Sequence, residues 1–301
     1  MKREIVTVVM SAIVFLFIFS NISFAWTLTP PPLSGGDTKL IPSPLTGEGQ
    51  GGGELREPSD EKSRHVVIYS LVEHFVWQEM YSGAKILEEN GLIYGVGFTA
   101  KVVYPSQETL KAEWELFLGK INYDGSVQTG EKAVTDTDYL GMRVEADMGF
   151  YKRLGDNVVI EPYFGGGYRW WIRHINDGTT ASGDTAVGYT ELWQSFYLRA
   201  GVREDVILKN NTKYYKSIGL SLPVFTANSV RLSEVDSTLP DVTLHPRGQL
   251  SFNAEAGITK GRLQMLLFYE HIRFSKSSDV SGVFQPESMA DIWGIRVGAE
   301  L

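Results

Sequence analysis

The feature that most constrains this chain is the length of its alternating stretches. Residues 140–150, "LGMRVEADMGF", put Leu140, Met142, Val144, Ala146, Met148 and Phe150 on one parity, with Arg143, Glu145 and Asp147 on the other. Period-two alternation is the signature of a strand with two different faces. Ten such segments follow one another, at roughly 66–80, 91–104, 108–123, 138–152, 157–173, 191–206, 213–225, 248–259, 262–274 and 289–301. Each is 12 residues or longer, whereas soluble sheets favour strands of about 5–6 residues. A tilted strand needs about 9–11 residues to cross a bilayer.

The connections alternate too. The short ones are 105–107, 153–156, 207–212 and 260–261; the long ones are 81–90, 124–137, 174–190, 226–247 and 275–288. Short turns at one end and long loops at the other are the layout of an outer-membrane barrel. The expected fold class is therefore all-β: a transmembrane antiparallel up-and-down β-barrel of about ten strands. A secreted soluble β-sandwich is the alternative that alternation alone would leave open.

The N-terminus reads as an export signal. Lys2 and Arg3 precede an apolar run at 5–20, and Ser23 and Ala25 supply small residues before a cleavage site after Ala25. The apolar run is shorter than the roughly 20 residues of a spanning helix. Residues 26–65 contain "TPPPLSGGD" and "PLTGEGQGGGE", too poor in apolar side chains to fold alone, and are expected to form a disordered periplasmic arm. Residues 66–301 then form the barrel.

The polar parity carries the candidate site. It holds Lys101, Lys111, Arg143, Arg169, Arg199, Arg203 and Arg296 against Glu113, Glu115, Glu145, Asp147, Glu161, Glu255 and Glu300. An Arg or Lys facing lipid at the midplane costs about 2–4 kcal/mol, which drives these groups inward. A single-sign lumen would indicate an ion-selective pore; the mixed set predicts ion-paired layers in a filled or very narrow barrel. Inward glycines (Gly95, Gly97, Gly165, Gly167, Gly201, Gly219) leave room for long side chains opposite. Aromatic residues gather at segment ends, with Tyr104, Tyr151, Tyr214 and Tyr215 at the short-turn end. Tyr123, Tyr139, Trp170, Trp171, Trp193, Phe225, Phe274 and Trp293 lie toward the long loops. Both groups are expected to form interfacial girdles. Segments one and nine are ambiguous, because Glu73, His74, Glu270 and His271 place charge on both parities.

Other chemistry is thinly represented. The chain has no cysteine and a formal charge of −8, which excludes disulfide and thiolate sites and disfavours nucleic acid as a partner. The "GVGFTA" at 95–100 imitates a dinucleotide fingerprint but opens no helix. The five histidines show no metal-ligand spacing, and Asp136 with Asp138, or Asp236 with Asp241, read as solvated loop acids. No cofactor or catalytic residue is expected. The expected partners are outer-membrane lipid and, during biogenesis, the barrel-assembly machinery.

Five segments, "ILEENGLIYGVGF" (86–98), "LGKINYDGSVQTG" (118–130), "VIEPYFGGGYRWW" (159–171), "LWQSFYLRAGV" (192–202) and "FQPESMADIWGIRVGAEL" (284–301), resemble a poorly characterised, porin-like family of bacterial outer-membrane β-barrel proteins. The resemblance implies an outer-membrane location and no agreed activity. Ten-stranded omptin proteases need paired Asp residues and an Asp/His pair at the outer rim. Here Glu270–His271 and His174 with Asp177 are the His/acid neighbours near that rim, and neither repeats the omptin spacing. The expected role is structural or surface-interactive. A narrow channel for small solutes is second, and a hydrolase at the barrel rim third.

Overall fold

The computed structural model describes residues 63–126, 130–208 and 212–301. The expected export signal (1–25) and nearly all of the expected periplasmic arm (26–65) lie outside these residues. Ten long strands carry the fold: β1 Ser63–Tyr81, β2 Ala84–Val103, β3 Glu108–Ser126, β4 Lys132–Phe150, β5 Val158–Ile175, β6 Tyr189–Ile207, β7 Thr212–Val230, β8 Gly248–Lys260, β9 Leu263–Phe274 and β10 Glu287–Glu300. Each pairs antiparallel with its neighbour in sequence, and β10 pairs with β1 to close the ring. Short strands at Lys152–Leu154, Gly178–Thr180, Thr185–Ala186 and Val242–Leu244 decorate the connections.

Alternation sets the two faces. Outward positions include Ile68, Leu92, Val96, Leu118, Met148, Leu198, Leu220 and Val297, all exposed large apolar residues. Inward positions include Glu113, Glu115, Arg143, Glu145, Asp147 and Arg203, all buried. A water-soluble sheet has the opposite arrangement, so the soluble sandwich is excluded. The apolar band ends at polar outward groups. Lys120 pairs with Asp138 at 3.3 Å toward the loops, and Lys216 with Glu204 at 3.7 Å toward the turns.

The loops differ from the sequence reading. Residues 81–90 were expected to be a loop, yet β1 and β2 continue to a two-residue turn, Ser82–Gly83. Both turn residues have positive φ, 50° and 79°, as a hairpin turn matched to strand twist requires. β3 and β4 also extend into the expected 124–137 loop, β3 ending at Ser126 and β4 starting at Lys132. The physical reason is strand length. β1 to β7 have 18 to 20 residues, which at about 3.3 Å per residue and a tilt of about 40° rises about 48 Å, against an apolar band of about 25 Å. The excess stands above the band at the loop end, where polar outward residues such as Glu88 and Asn90 are compatible with strand and resemble loop in sequence.

The girdle assignment also changes. Tyr123, Tyr139, Trp171, Trp193 and Phe274 are buried inside the barrel, and Tyr215 turns inward to donate to Glu255 at 2.9 Å. Phe225, Trp293 and Tyr214 are exposed as a girdle requires. The ambiguous pairs resolve by parity: Glu73 and Glu270 point inward, while His74 stacks on Trp293 (centroids 5.0 Å apart) and His271 pairs with Asp291 at 2.8 Å on the outer face.

Candidate functional site

The barrel interior has three levels. Nearest the turns lies a continuous lattice of ion pairs. Lys101 and Arg203 both bind Glu161, the latter at 2.9 Å; Arg203 also binds Asp147. Arg199 bridges Asp147 and Glu145. Arg143 reaches Glu113 at 2.9 Å, Glu115 at 2.5 Å, and Glu145 and Glu270 beyond them. Lys111 binds Glu113 at 2.9 Å, Arg296 binds Glu115 and Glu255, each at 2.9 Å, and Arg169 binds Glu270. Thirteen of the fourteen candidate lumen charges therefore belong to one connected network: Lys101, Lys111, Glu113, Glu115, Arg143, Glu145, Asp147, Glu161, Arg169, Arg199, Arg203, Glu255 and Arg296. Glu270 completes it. Glu300 stands apart, at the turn-end mouth against His65.

Neutral donors and rings fill the spaces between charges. The Tyr69 and Tyr197 hydroxyls donate to Glu115 at 3.0 Å and Glu145 at 2.7 Å. The Arg203 guanidinium lies 3.8 Å from the Tyr163 ring centroid. Gly201 sits beneath that tyrosine, where an added Cβ would come within 2.6 Å of the Tyr163 hydroxyl, so the glycine is what allows the ring to lie across the lumen.

Above the lattice is an aromatic layer. Trp171 and Trp193 stack with centroids 5.3 Å apart and planes 7° from parallel. Trp77 meets Trp193 edge-on at 5.1 Å, and Phe274 packs against both Trp77 and Trp193. Phe75, Ile93, Ile121 and Ile292 belong to the same core.

The third level caps the aromatics. Arg173, with no solvent exposure, donates through Nε to both oxygens of Glu89 at 3.0 Å and through Nη1 to Glu191 at 2.9 Å and Glu79 at 3.3 Å. Three carboxylates around one guanidinium leave negative charge that the cation does not balance. Neutral donors meet it: Trp77 Nε1 on Glu79 at 3.0 Å, Trp193 Nε1 on Glu191 at 2.8 Å, and the Thr137 and Tyr139 hydroxyls on Glu89. The sequence reading missed this cluster. Parity marks it, since Arg173 continues Arg169 and Glu191 continues Trp193–Arg199, but Glu89 lay in a supposed loop.

The interior cavities left by this packing are only about 20–30 Å³ each. The turn end differs: a cavity of about 710 Å³ opens there between Val67, Tyr69, Lys101, Tyr151 and Leu266.

The two His/acid neighbours near the loop rim are split by the fold. Glu270 faces Arg169 inside while His271 faces Asp291 outside. His174 binds Thr190 at 2.9 Å, and Asp177 accepts from the Gly188 N–H at 2.8 Å. Asp138 is held by Lys120 and Asn176. In the 231–247 loop, the Ser233 backbone N–H and hydroxyl donate to Asp241 at 3.0 and 2.7 Å, holding its carboxyl below the usual range. A depressed carboxylate pKa adds stability above the unfolded value of about 3.9, lost as pH falls through the folded value. The Ser233 amide resonance is expected to titrate with a midpoint below about 3.9 in an NMR pH series; a midpoint at or above it would refute the contact.

The closed antiparallel ring, apolar outside and charged within, is the fold of bacterial outer-membrane β-barrels. No family model matches the chain, and no curated protein matches it. Among solved structures, the chain is similar to the outer-membrane protease OmpT from Escherichia coli (10% identity, TM-score 0.53, covering 83% of this chain and 99% of that one). It also aligns with the translocator domain of the autotransporter NalP from Neisseria meningitidis (12% identity, TM-score 0.43, 77% and 88% covered). A third alignment is with an outer-membrane channel from Pseudomonas putida F1 (10% identity, TM-score 0.36, 82% and 100% covered). At these identities the first likeness shows the fold alone.

Proposed function

We propose that the protein is a non-conducting outer-membrane barrel, exported with loss of residues 1–25, whose role is structural or surface-interactive. The observation that carries this reading is the filling of the interior above the turn-end cavity: lattice, aromatic layer and Arg173 cap follow one another along the axis, and beyond that cavity the spaces among their side chains are only about 20–30 Å³ each. Ion-paired walls could line a selective pore only if a water path ran between them, and above the turn-end cavity the spaces among these groups hold about one or two waters each. The strand extensions then serve as a rigid pedestal, lifting the loops 176–188, 231–247 and 275–286 clear of the membrane for contact with an outside partner. Arg and Lys are retained inside because the lipid face would penalise each by about 2–4 kcal/mol at the midplane, and Glu by less.

Planar-bilayer recording on the purified, refolded barrel tests this. The expected result is no stepwise conductance while the sample keeps the heat-dependent gel mobility of a folded barrel. Reproducible steps from such a sample would establish the rival reading, a narrow channel. Envelope fractionation tests the location, with recovery in the soluble periplasm as the refuting result.

A further inference from the structure

The turn-end mouth holds an arrangement that the filled-barrel reading does not use. The Ser63 hydroxyl lies 2.7 Å from His65 Nε2, and His65 Nδ1 lies 2.6 Å from Glu300 Oε1. An ionised carboxylate only accepts hydrogen bonds, so Nδ1 carries the proton and donates to Glu300. In the neutral imidazole that leaves Nε2 as the acceptor, and Ser63 donates to it. Nucleophile, base and orienting acid are thus connected in the order that nucleophilic catalysis requires.

The fold explains how the three meet. Ser63 and His65 are two residues apart on β1 and share its inward face. Glu300 is registered against Val67 on the closing strand β10, one diagonal step from His65, a distance within reach of long side chains. Both are exposed enough to meet a substrate, with the His65 and Glu300 side chains 48% and 31% accessible. All three line the 710 Å³ cavity, a volume in the range of small-molecule sites. Its walls include Val67, Tyr69, Val103 and Leu266, which suit an acyl or aryl group. Lys101, registered directly opposite His65, lines the same cavity, its ammonium bound to Glu161.

We propose that Ser63, His65 and Glu300 form a hydrolytic triad acting on small carboxylic esters that enter from the turn end. Ser63 Oγ bonds to the acyl carbon as its proton passes to His65 Nε2. The ester C–O bond then breaks, and the departing alcohol takes that proton. Water attacks the acyl-serine and gives a proton to Nε2; the acyl–Oγ bond breaks, Ser63 regains the proton, and the carboxylic acid leaves. Ser63 and His65 are the catalytic residues, and Glu300 is a positioning residue acting through His65.

The test uses the whole folded barrel in detergent, with p-nitrophenyl butyrate as substrate and a fluorophosphonate as covalent probe. Mass spectrometry is expected to place the probe on Ser63. Ser63→Ala should abolish labelling, and His65→Ala should slow ester hydrolysis about 100-fold or more. Glu300→Gln should lower kcat with KM unchanged. Heat-dependent gel mobility confirms that each variant is folded, as expected for substitutions at an exposed mouth. A folded wild-type barrel unlabelled at Ser63, or hydrolysing the ester no faster than Ser63→Ala, overturns the proposal. Either result is independent of conductance, so this inference can fail while the filled-barrel reading stands.

Discussion

Replacing Arg173 with methionine is expected to destabilise the barrel by about 3–5 kcal/mol, the cost of leaving buried charges without their partner. Arg173 is wholly buried and holds Glu79, Glu89 and Glu191 together. Methionine fills much of the volume but supplies no donor, so three carboxylates face one another within a few ångströms. Arg173→Lys should lose less, because it keeps the charge; it still loses something, because an ammonium cannot reproduce the forked contact with Glu89. Adding Glu89→Gln to the methionine variant removes one uncompensated charge and should recover part of the loss. Guanidinium unfolding of the lipid-reconstituted protein measures all four species. Equal stability of wild type and Arg173→Met would mean the cluster is protonated or hydrated in place of ion-paired, and the cap would then be no structural element.

Much of this architecture was legible because period two is rigid: once Leu110, Ala112 and Trp114 face lipid, Lys111, Glu113 and Glu115 face the interior. The same logic located the ten strands and thirteen members of the charge lattice. The aromatics obey it too. Trp193 shares parity with Arg199 and Arg203, and Tyr139 with Arg143, so face sets their inward direction and position near a strand end does not. Glu89 and Glu79 were hidden for a different reason. Above the membrane the outer face no longer needs to be apolar, so Gln78, Glu88 and Asn90 erase the alternation by which a strand is recognised. Ser63, His65 and Glu300 were invisible as a group because β1 meets β10 only on barrel closure, a contact 235 residues apart in sequence.

Trp193→Ala is the second large effect expected. Trp193 is completely buried, touching Trp77, Trp171 and Phe274 at once. Removing a large aromatic from such a core costs about 3–5 kcal/mol, with the higher values where surroundings cannot collapse. Here they cannot collapse readily, since its neighbours are carried by strands of a closed ring whose spacing is fixed by hydrogen bonds. The indole also donates to Glu191 at 2.8 Å, so the variant deprives the Arg173 cluster of one neutral donor. Two measurements separate these consequences. Denaturant unfolding reads the stability loss, while near-ultraviolet circular dichroism reads loss of the Trp171–Trp193 stack. Conductance should remain absent in this single variant, because the ion lattice still spans the lumen below the void. A gain of conductance from Trp193→Ala alone would place the seal entirely in the aromatic layer and reduce the lattice to a lining.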